Sequence, residues 1–379
     1  MIVYEILTII LAISYISIFL FYLLGWMSLP VYIPSESKPH TKVSIIIPAR
    51  NEEQNIFSLL NDLLQQTYPP SLFEIIVVDD FSEDRTFEIV ESIVDPRIKF
   101  LRLKDFINED EIVFSYKKKA IETAISNSNG ELMITTDADC RVKSNWLATM
   151  VNFYEEKRCQ MIVATVLMEG ERKFFDKFQE LDFVGMMGIT AATLHLNFPT
   201  MCNGANLAFQ RKAFEEVNGY EGVSEKSSGD DMLLMHKIAE KWNGGAKFLK
   251  SREAVVYSST QKSIRSFFSQ RMRWTSKSQS YSDWKIKANL LLVYLFNLSI
   301  LASLFLSIFY SQLWLVFFFQ LSIKIILDFA FLSQVTGFFN RQKLLWLFLL
   351  IEALHIFYIV VVGFAGNFFQ TSWKGRKVQ

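Results

Sequence analysis

Hydrophobic positions along the chain fall into two regimes. Residues 1–30 and 288–366 are almost continuously apolar, whereas 31–287 alternate short β-branched runs with amphipathic stretches. The run from Ile6 to Leu24 carries no charge, and Glu5 is the one charged residue before position 31. Crossing a hydrocarbon core takes roughly 20 apolar residues, so this run predicts a transmembrane anchor. A cleaved signal peptide wants a basic start and a small-residue cleavage site. Here the start is acidic and the run ends in Gly25-Trp26-Met27, which favours a retained anchor. Three later stretches pass the same length test: 288–310 without charge, 312–335 with Lys324 and Asp328, and 344–366 with Glu352 and His355. Lys324 and Asp328 stand four apart, which lets them pair on one helix face and lowers the cost of each in a bilayer.

The middle of the chain reads differently. Residues 43–47 predict a strand ended by Pro48, 52–65 a helix with Ile56, Leu59, Leu60, Leu63 and Leu64 on one face, and 73–78 a strand. A helix over 83–93, a strand near 98–101, a helix over 117–127 and a strand over 131–135 follow. Strand–helix alternation at this spacing predicts a parallel sheet covered on both faces, and ligands of such sheets bind beyond the carboxyl ends of the strands. The segments to inspect are therefore Pro48-Ala49-Arg50-Asn51-Glu52, Asp79-Asp80 and Thr136-Asp137-Ala138-Asp139.

Composition narrows the function. Of 379 residues 51% are hydrophobic, which excludes a disordered chain. Lys plus Arg equals Asp plus Glu at 39 each, so there is no basic excess for a nucleic-acid polymer. Cys140, Cys159 and Cys202 are too few and scattered for a disulfide framework or a cysteine zinc site, and read as reduced thiols facing a cytosol. The four histidines lack metal-type spacing. No G-x-G-x-x-G, Walker or G-x-S-x-G motif occurs. Arg341 and Lys343 put the loop between the last two apolar stretches on the side of the middle domain, the cytosol. The same count sends Trp373-Lys374-Gly375-Arg376-Lys377 to the opposite side, against the same bias. Either that tail is an exception or one apolar segment is re-entrant.

The strand ends supply carboxylates. Asp137 and Asp139, two apart, suit Mg²⁺ or Mn²⁺, which take one or two carboxylates plus phosphate oxygens; a solvated acidic turn is the bland alternative. Asp79 and Asp80 could accept from a nucleobase edge, or one could cap the next helix. Lys117-Lys118-Lys119 opens a helix, where cations are unfavourable unless an anion such as a diphosphate compensates; otherwise they form a solvated patch. Asp230-Asp231, after Ser228-Gly229, begins another helix as a cap or as a general base. The segment from Lys262 to Lys277, containing Gln270-Arg271-Met272-Arg273-Trp274, reads as a basic helix at a membrane surface. Arg172 to Phe198 is either a core helix or an interfacial helix lining an acceptor entry, with Gly204-Ala205-Asn206 turning close by.

Taken in order, IIIPARNEE (45–53), VVDDFSEDRT (77–86), the Lys117 segment, TTDADC (135–140), CNGANLAF (202–209), GDD (229–231) and QRMRW (270–274) resemble the membrane-embedded family 2 glycosyltransferases with a GT-A domain. Chitin-oligosaccharide, poly-N-acetylglucosamine and hyaluronan synthases and ceramide glucosyltransferases have a similar layout. The resemblance implies an α/β GT-A domain with a Rossmann-like mixed sheet over 31–260. Around it would lie an anchor at 1–30, an interfacial segment at 261–287, three membrane helices over 288–366 and a basic tail at 367–379. It implies that Pro48, Ala49, Arg50, Glu52, Asp79 and Asp80 hold the nucleotide of a UDP-sugar, that Lys117 approaches the diphosphate, and that Asp137 contacts ribose or sugar. Asp139, with Asp137, would ligate Mn²⁺ or Mg²⁺. Asp231 would be the catalytic base, and Gln270, Arg273 and Trp274 would close the site. Gly204, Ala205, Asp230 and Trp274 would face the acceptor. The third acid motif reads GDD where relatives commonly carry ED, so its last aspartate is kept. The implied activity is inverting transfer to a hydroxyl of a membrane lipid or short glycan at the cytosolic face, in the plasma membrane if the source is bacterial. The alternative is a processive synthase that exports its polymer.

Overall fold

The computed structural model describes residues 2–34, 39–107, 113–171, 173–223, 229–276, 283–368, 371–373 and 376–378, the last few as backbone alone. Arg172, Ser228, Lys277, Lys374 and Gly375 lie outside the described residues. Helix α1 (Ile2–Ser28) precedes an alternating domain: β1 (Val43–Ala49), α2 (Ile56–Leu64), β2 (Phe73–Asp79), α3 (Thr86–Glu91), β3 (Ile98–Arg102), α4 (Tyr116–Ser126), β4 (Leu132–Thr135), β5 (Cys140–Val142) and α5 (Trp146–Lys157). There follow β6 (Met161–Ala164), β7 (Val166–Glu169), α6 (Phe174–His195), β8 (Leu207–Gln210), α7 (Arg211–Glu216), α8 (Asp230–Lys241), β9 (Ala246–Leu249) and β10 (Val256–Ser259). The chain closes with α9 (Ile264–Ser276), α10 (Trp284–Leu306), α11 (Leu313–Phe338), α12 (Phe348–Phe368) and the hairpin β11 (Thr371–Trp373) and β12 (Arg376–Val378).

Seven strands form the main sheet in the order β3-β2-β1-β4-β8-β6-β9. Periodicity alone predicts a parallel sheet. Instead β8 runs antiparallel to both β4 and β6, giving the mixed sheet that the family resemblance implied. Alternate residues of β1 and β2 feed two cores. Ile46, Ile76 and Val78 pack against α4, whereas Ile45, Ile47, Ile75 and Val77 pack with Leu59, Leu60 and Trp146 of α2 and α5. Both faces are buried, which explains why these strands read as continuous apolar runs.

Pro48 does not end β1, which continues to Ala49. Pairing with β4 has already stopped at Ile46–Thr135, and Pro48 stays opposite Val78 of β2. Its missing N–H falls on the side where no ladder bond is due. The helices expected over 52–65 and 83–93 begin later, at Ile56 and Thr86. The intervening residues are turns that use Asn51 at φ 51° and Phe81 at φ 55°. Asp84, not Asp79 or Asp80, accepts from the Thr86 N–H at 3.0 Å.

Four helices are long and apolar enough to cross a membrane, spanning Ile2–Ser28, Trp284–Leu306, Leu313–Phe338 and Gln342–Gly366. The sheet domain grips two of them, α1 and α11, at one end. Lys250 Nζ donates to Trp26 O (2.8 Å) and Leu29 O (3.1 Å) at the carboxyl end of α1, and Arg252 Nε donates to Phe338 O at the end of α11. Helix α6 bridges the two halves. A Cβ on Gly25 would sit 2.8 Å from Ala192 O, and one on Gly188 2.6 Å from Val335 Cγ2, so α1 and α11 both approach α6 at near-backbone distance.

Helix α12 is placed differently. Arg341, just before it, pairs with Glu169 of the sheet domain, and β11, just after it, packs against α9. The Phe348 ring lies 5.3 Å from that of Phe329, midway along α11. At the other end Gly366 lies against Thr275 of α9.

Gly188→Val should force α6 and α11 apart. Overpacking of this kind costs about 1–3 kcal/mol, so the thermal midpoint of the full chain in detergent should fall by several degrees. An unchanged midpoint would contradict the close α6–α11 contact.

Candidate active site

A cavity of about 1550 Å³ opens at the carboxyl ends of β1, β2 and β4. Pro48, Ala49, Arg50, Glu52, Asp80, Lys117, Asp137, Asp139, Gly204, Ala205, Asp230, Asp231, Gln270, Arg273 and Trp274 all line it. Asp79 does not; it is buried and accepts weakly from the Ser82 N–H at 3.3 Å.

The strand ends fix these groups. Asp80 N donates to Ala49 O at 2.7 Å, joining the tips of β1 and β2. Arg50 lies on the cavity wall, yet its Nη1 donates to Asp80 O (2.8 Å) and Phe81 O (3.1 Å), so its guanidinium braces the loop behind Asp80. Asn55 Nδ2 holds the Glu52 carboxylate at 2.8 Å. Asp137 and Asp139 were expected to share a strand face. They sit in a turn after β4, where two-residue alternation no longer applies, but both still reach the cavity.

Of the three lysines opening α4, one serves the site. Lys117 Nζ lies 2.8 Å from Asp137 and 3.4 Å from Asp230. Lys118 is buried and donates inward to Val223 O at 2.6 Å. Burial works against the Lys117 ammonium, but Asp137 and Asp230, with Asp231 behind them, hold its pKa above the usual lysine value. Burial likewise pulls the Arg273 guanidinium below its usual value, against the opposing pull of Asp230, Asp137 and Asp231. Both cations thus face carboxylates in a desolvated space, where an anionic ligand would be strongly felt.

Asp231 is held in the first turn of α8. Its Oδ2 accepts from Gly204 N at 3.1 Å and its Oδ1 from Met232 N at 2.8 Å. Thr135 Oγ1 donates to Gly204 O at 2.7 Å, so one short turn ties the end of β4 to the start of α8. A Cβ at Gly204 would lie 3.2 Å from Asp230 Oδ2, which is tight for any larger residue.

Helix α9 presents Gln270, Arg273 and Trp274. Arg271, between them, also reaches the cavity wall, is 2% exposed and pairs with Asp182 of α6 at 2.8 Å. Its guanidinium stacks 4.3 Å from the Trp274 ring centroid, and His355 Nε2 approaches Asp182 from α12 at 3.3 Å. Burial would raise the Asp182 carboxyl, but Arg271 and then His355 hold it below the usual range. Sequence reasoning missed this pair. Asp182 belongs to no motif, and one of three acids in the first half of α6 carries no local signal that marks it out.

No group of three or more His, Cys, Asp or Glu side chains converges on a metal position among the described residues. Asp137 and Asp139 offer hard oxygens on the wall and leave the remaining positions to ligand oxygens, a donor set that fits Mg²⁺ or Mn²⁺ shared with a diphosphate.

Residues 132–363 match the family model described as glycosyl transferase family group 2, and residues 44–217 match glycosyl transferase family 2. The chain belongs to glycosyltransferase family 2. It is 25% identical over 256 residues to the probable glycosyltransferase YdaM of Bacillus subtilis (strain 168), covering 63% of this chain and 55% of that protein. It is 24% identical over 247 residues to the beta-monoglucosyldiacylglycerol synthase of Trichormus variabilis, covering 64% and 50%. The chain thus spans about half the length of these curated relatives. The mannosyltransferase PcManGT from Pyrobaculum calidifontis, solved with GDP-Man and Mn²⁺, shares the fold at TM-score 0.57 and 17% identity over 96% of this chain and 98% of that one.

Asp182→Leu leaves Arg271 charged and buried without its partner, which costs about 3–5 kcal/mol. The double variant Asp182→Leu/Arg271→Met should recover part of that loss in thermal midpoint. A double variant as unstable as the sum of the two singles would show that the pair is not coupled.

Proposed function

We propose that the protein is an inverting glycosyltransferase that moves a sugar from a UDP-sugar to a hydroxyl of a membrane lipid or short glycan. The observation that carries this reading is the single cavity shared by Asp80, Asp137, Asp139, Arg273 and Asp231. Pro48, Ala49, Glu52 and Asp80 line the end suited to the nucleoside. Arg50 contributes by bracing that loop, and Asp79 by supporting the turn beneath it. A divalent cation held by Asp139 and Asp137 would neutralise charge growing on the leaving diphosphate. Lys117 and Arg273 add fixed positive charge there, and such groups act more strongly on the transition state than on the ground state. Asp231, its two oxygens already oriented by Gly204 and Met232, takes the proton of the attacking hydroxyl. Gly204, Ala205 and Asp230 flank the acceptor, and Gln270 and Trp274 close over it. One base and attack opposite the diphosphate invert the anomeric carbon.

Asp231→Asn should keep metal-dependent UDP binding within about twofold while sugar transfer falls by 10² or more, as expected on removing a general base. Titration calorimetry and product mass check the two halves separately. Near-normal turnover would remove Asp231 from the mechanism.

Residues 31–260 are read as the catalytic domain on the cytosolic side, with 261–287 as an interfacial segment carrying α9. Single transfer is preferred to export. Beyond Asp328 the bundle is closed by Gln320, which bonds Ser299 at 2.7 Å and accepts from Ser303 at 2.9 Å. Helix α12 is read as re-entrant, because the residues on either side of it contact the sheet domain and α9; the tail then faces the cytosol with the catalytic domain. The three native cysteines are buried. A cysteine placed at Val378 should therefore react with an impermeant maleimide from the same side as one placed at Val94, which is 98% exposed. Labelling from opposite sides would show that α12 crosses.

A further inference from the structure

The cavity that contains Asp231 does not end at the sheet domain. It continues between α1, α10, α11 and α12, where Tyr15, Asn297, Lys324, Asp328 and Glu352 form its floor. Asn297 lies 13 residues beyond Trp284, the start of α10. At 1.5 Å per residue that is about 20 Å along the helix, well inside a hydrocarbon layer of about 30 Å. Ionisable groups at such depth are expensive and call for a functional explanation.

The bonding within the floor shows what it lacks. Lys324 Nζ lies 2.7 Å from Asp328 Oδ2, 2.8 Å from Glu352 and 3.3 Å from the Tyr15 hydroxyl, so three oxygens surround the ammonium. The Tyr15 hydroxyl donates to Asp328 Oδ1 at 2.6 Å. Asn297 is fully buried on the same wall. Its Nδ2 donates to Val293 O at 2.8 Å, and its Oδ1 has no hydrogen-bond partner among the described residues. One cation thus faces two carboxylates in a cavity that an orphaned amide oxygen also lines. The floor has an excess of acceptors and of negative charge.

Its chemical complement is a neutral group that donates hydrogen bonds. Hydroxyls satisfy that requirement. A lipid phosphate, anionic and rich in acceptors, meets repulsion and an ammonium already paired with two carboxylates. The wall also meets the bilayer. Leu291 of α10 and Phe364 of α12, on helices apolar enough to cross a membrane, line the cavity and are 55% and 58% exposed.

We propose that Asn297, Lys324, Asp328 and Glu352 form a binding site for the uncharged, hydroxyl-bearing head of a membrane lipid acceptor. This rests on the transferase reading above and narrows its acceptor class. An ion cluster that merely ties α1, α11 and α12 together would stabilise the bundle but would not influence which acceptor is used.

The test uses the full chain in phosphatidylcholine vesicles containing monoglucosyldiacylglycerol, diglucosyldiacylglycerol or undecaprenyl phosphate, supplied with a panel of labelled UDP-sugars. Label should enter a neutral lipid and not undecaprenyl phosphate. Asn297→Leu, nearly isosteric, should raise the KM for that neutral lipid on the order of tenfold, the loss of about one buried hydrogen bond. Its kcat and UDP affinity should stay within about twofold. Should that variant fail to fold, Glu352→Gln, which keeps shape and removes one charge, is expected to let undecaprenyl phosphate compete with the neutral lipid. Transfer to undecaprenyl phosphate by the wild type overturns the proposal. So does an unchanged KM in Asn297→Leu, absence of competition in Glu352→Gln, or no transfer to either neutral lipid while UDP still binds. Failure of the wild type to bind UDP with Mn²⁺ would overturn the transferase reading itself, and this inference with it.

Discussion

The hydrogen bond from the Gly204 amide to the Asp231 carboxylate is the joint on which the two ends of the site depend. It exists because β8 runs against its neighbours. An antiparallel strand between β4 and β6 brings its preceding turn back to the tip of β4, beside Asp137 and Asp139. From there Gly204 reaches Asp231 through its N–H and accepts from Thr135 through its carbonyl. A wholly parallel sheet would put that turn at the opposite edge. The acid beginning α8 would then have no fixed relation to the acids ending β4.

The membrane half is attached by a second kind of contact, one in which charge meets the ends and faces of helices. Lys250 caps the carbonyls that end α1 and lies 4.0 Å from the Trp26 ring centroid, so an ammonium satisfies both a helix terminus and an aromatic face. Arg271 and Asp182 do the same between α9 and α6, with His355 adding α12. Because Arg273 and Trp274 sit on the helix that Arg271 pins, an ion pair with α6 sets the orientation of this part of the cavity wall. Breaking such a pair exposes the full desolvation cost of the charge left behind, which makes it a rigid joint rather than a flexible one.

Much of this was readable in the chain, for physical reasons that differ by element. Strands β1 and β2 and helices α2 and α4 announce themselves because both faces of the sheet are buried and the helical faces repeat at 3.6 residues. Lys324 and Asp328 were legible as a pair because helix geometry fixes contacts four residues apart, and they do meet at 2.7 Å. Glu352 was visible as a charge in an apolar run, but its partner is 28 residues away, beyond any local rule. The antiparallel course of β8 was equally hidden, since a strand's direction depends on its connections and not on its own residues. Among the three lysines of α4 the sequence could not say which points to the site. Helix phase decides that, and it sends Lys118 into the core.

One cavity therefore presents two chemistries at its two ends. At the strand tips, acids outnumber the bases Lys117 and Arg273, an imbalance that a divalent cation carrying a diphosphate would resolve: the cation would satisfy the carboxylates and the phosphates the bases. At the floor among the membrane helices there is also an acid excess, but no open wall of carboxylates for a metal. Lys324 already bridges Asp328 and Glu352, and what remains is a demand for hydrogen-bond donors in a low-dielectric space. Polar groups are held at this depth only where something offsets their desolvation. The ion cluster offsets part of it internally and Asn297 is left over. A hydroxylated head group entering between α10 and α12 would supply the missing donor while leaving its alkyl chains in lipid, and Asp231 lies farther along the same cavity.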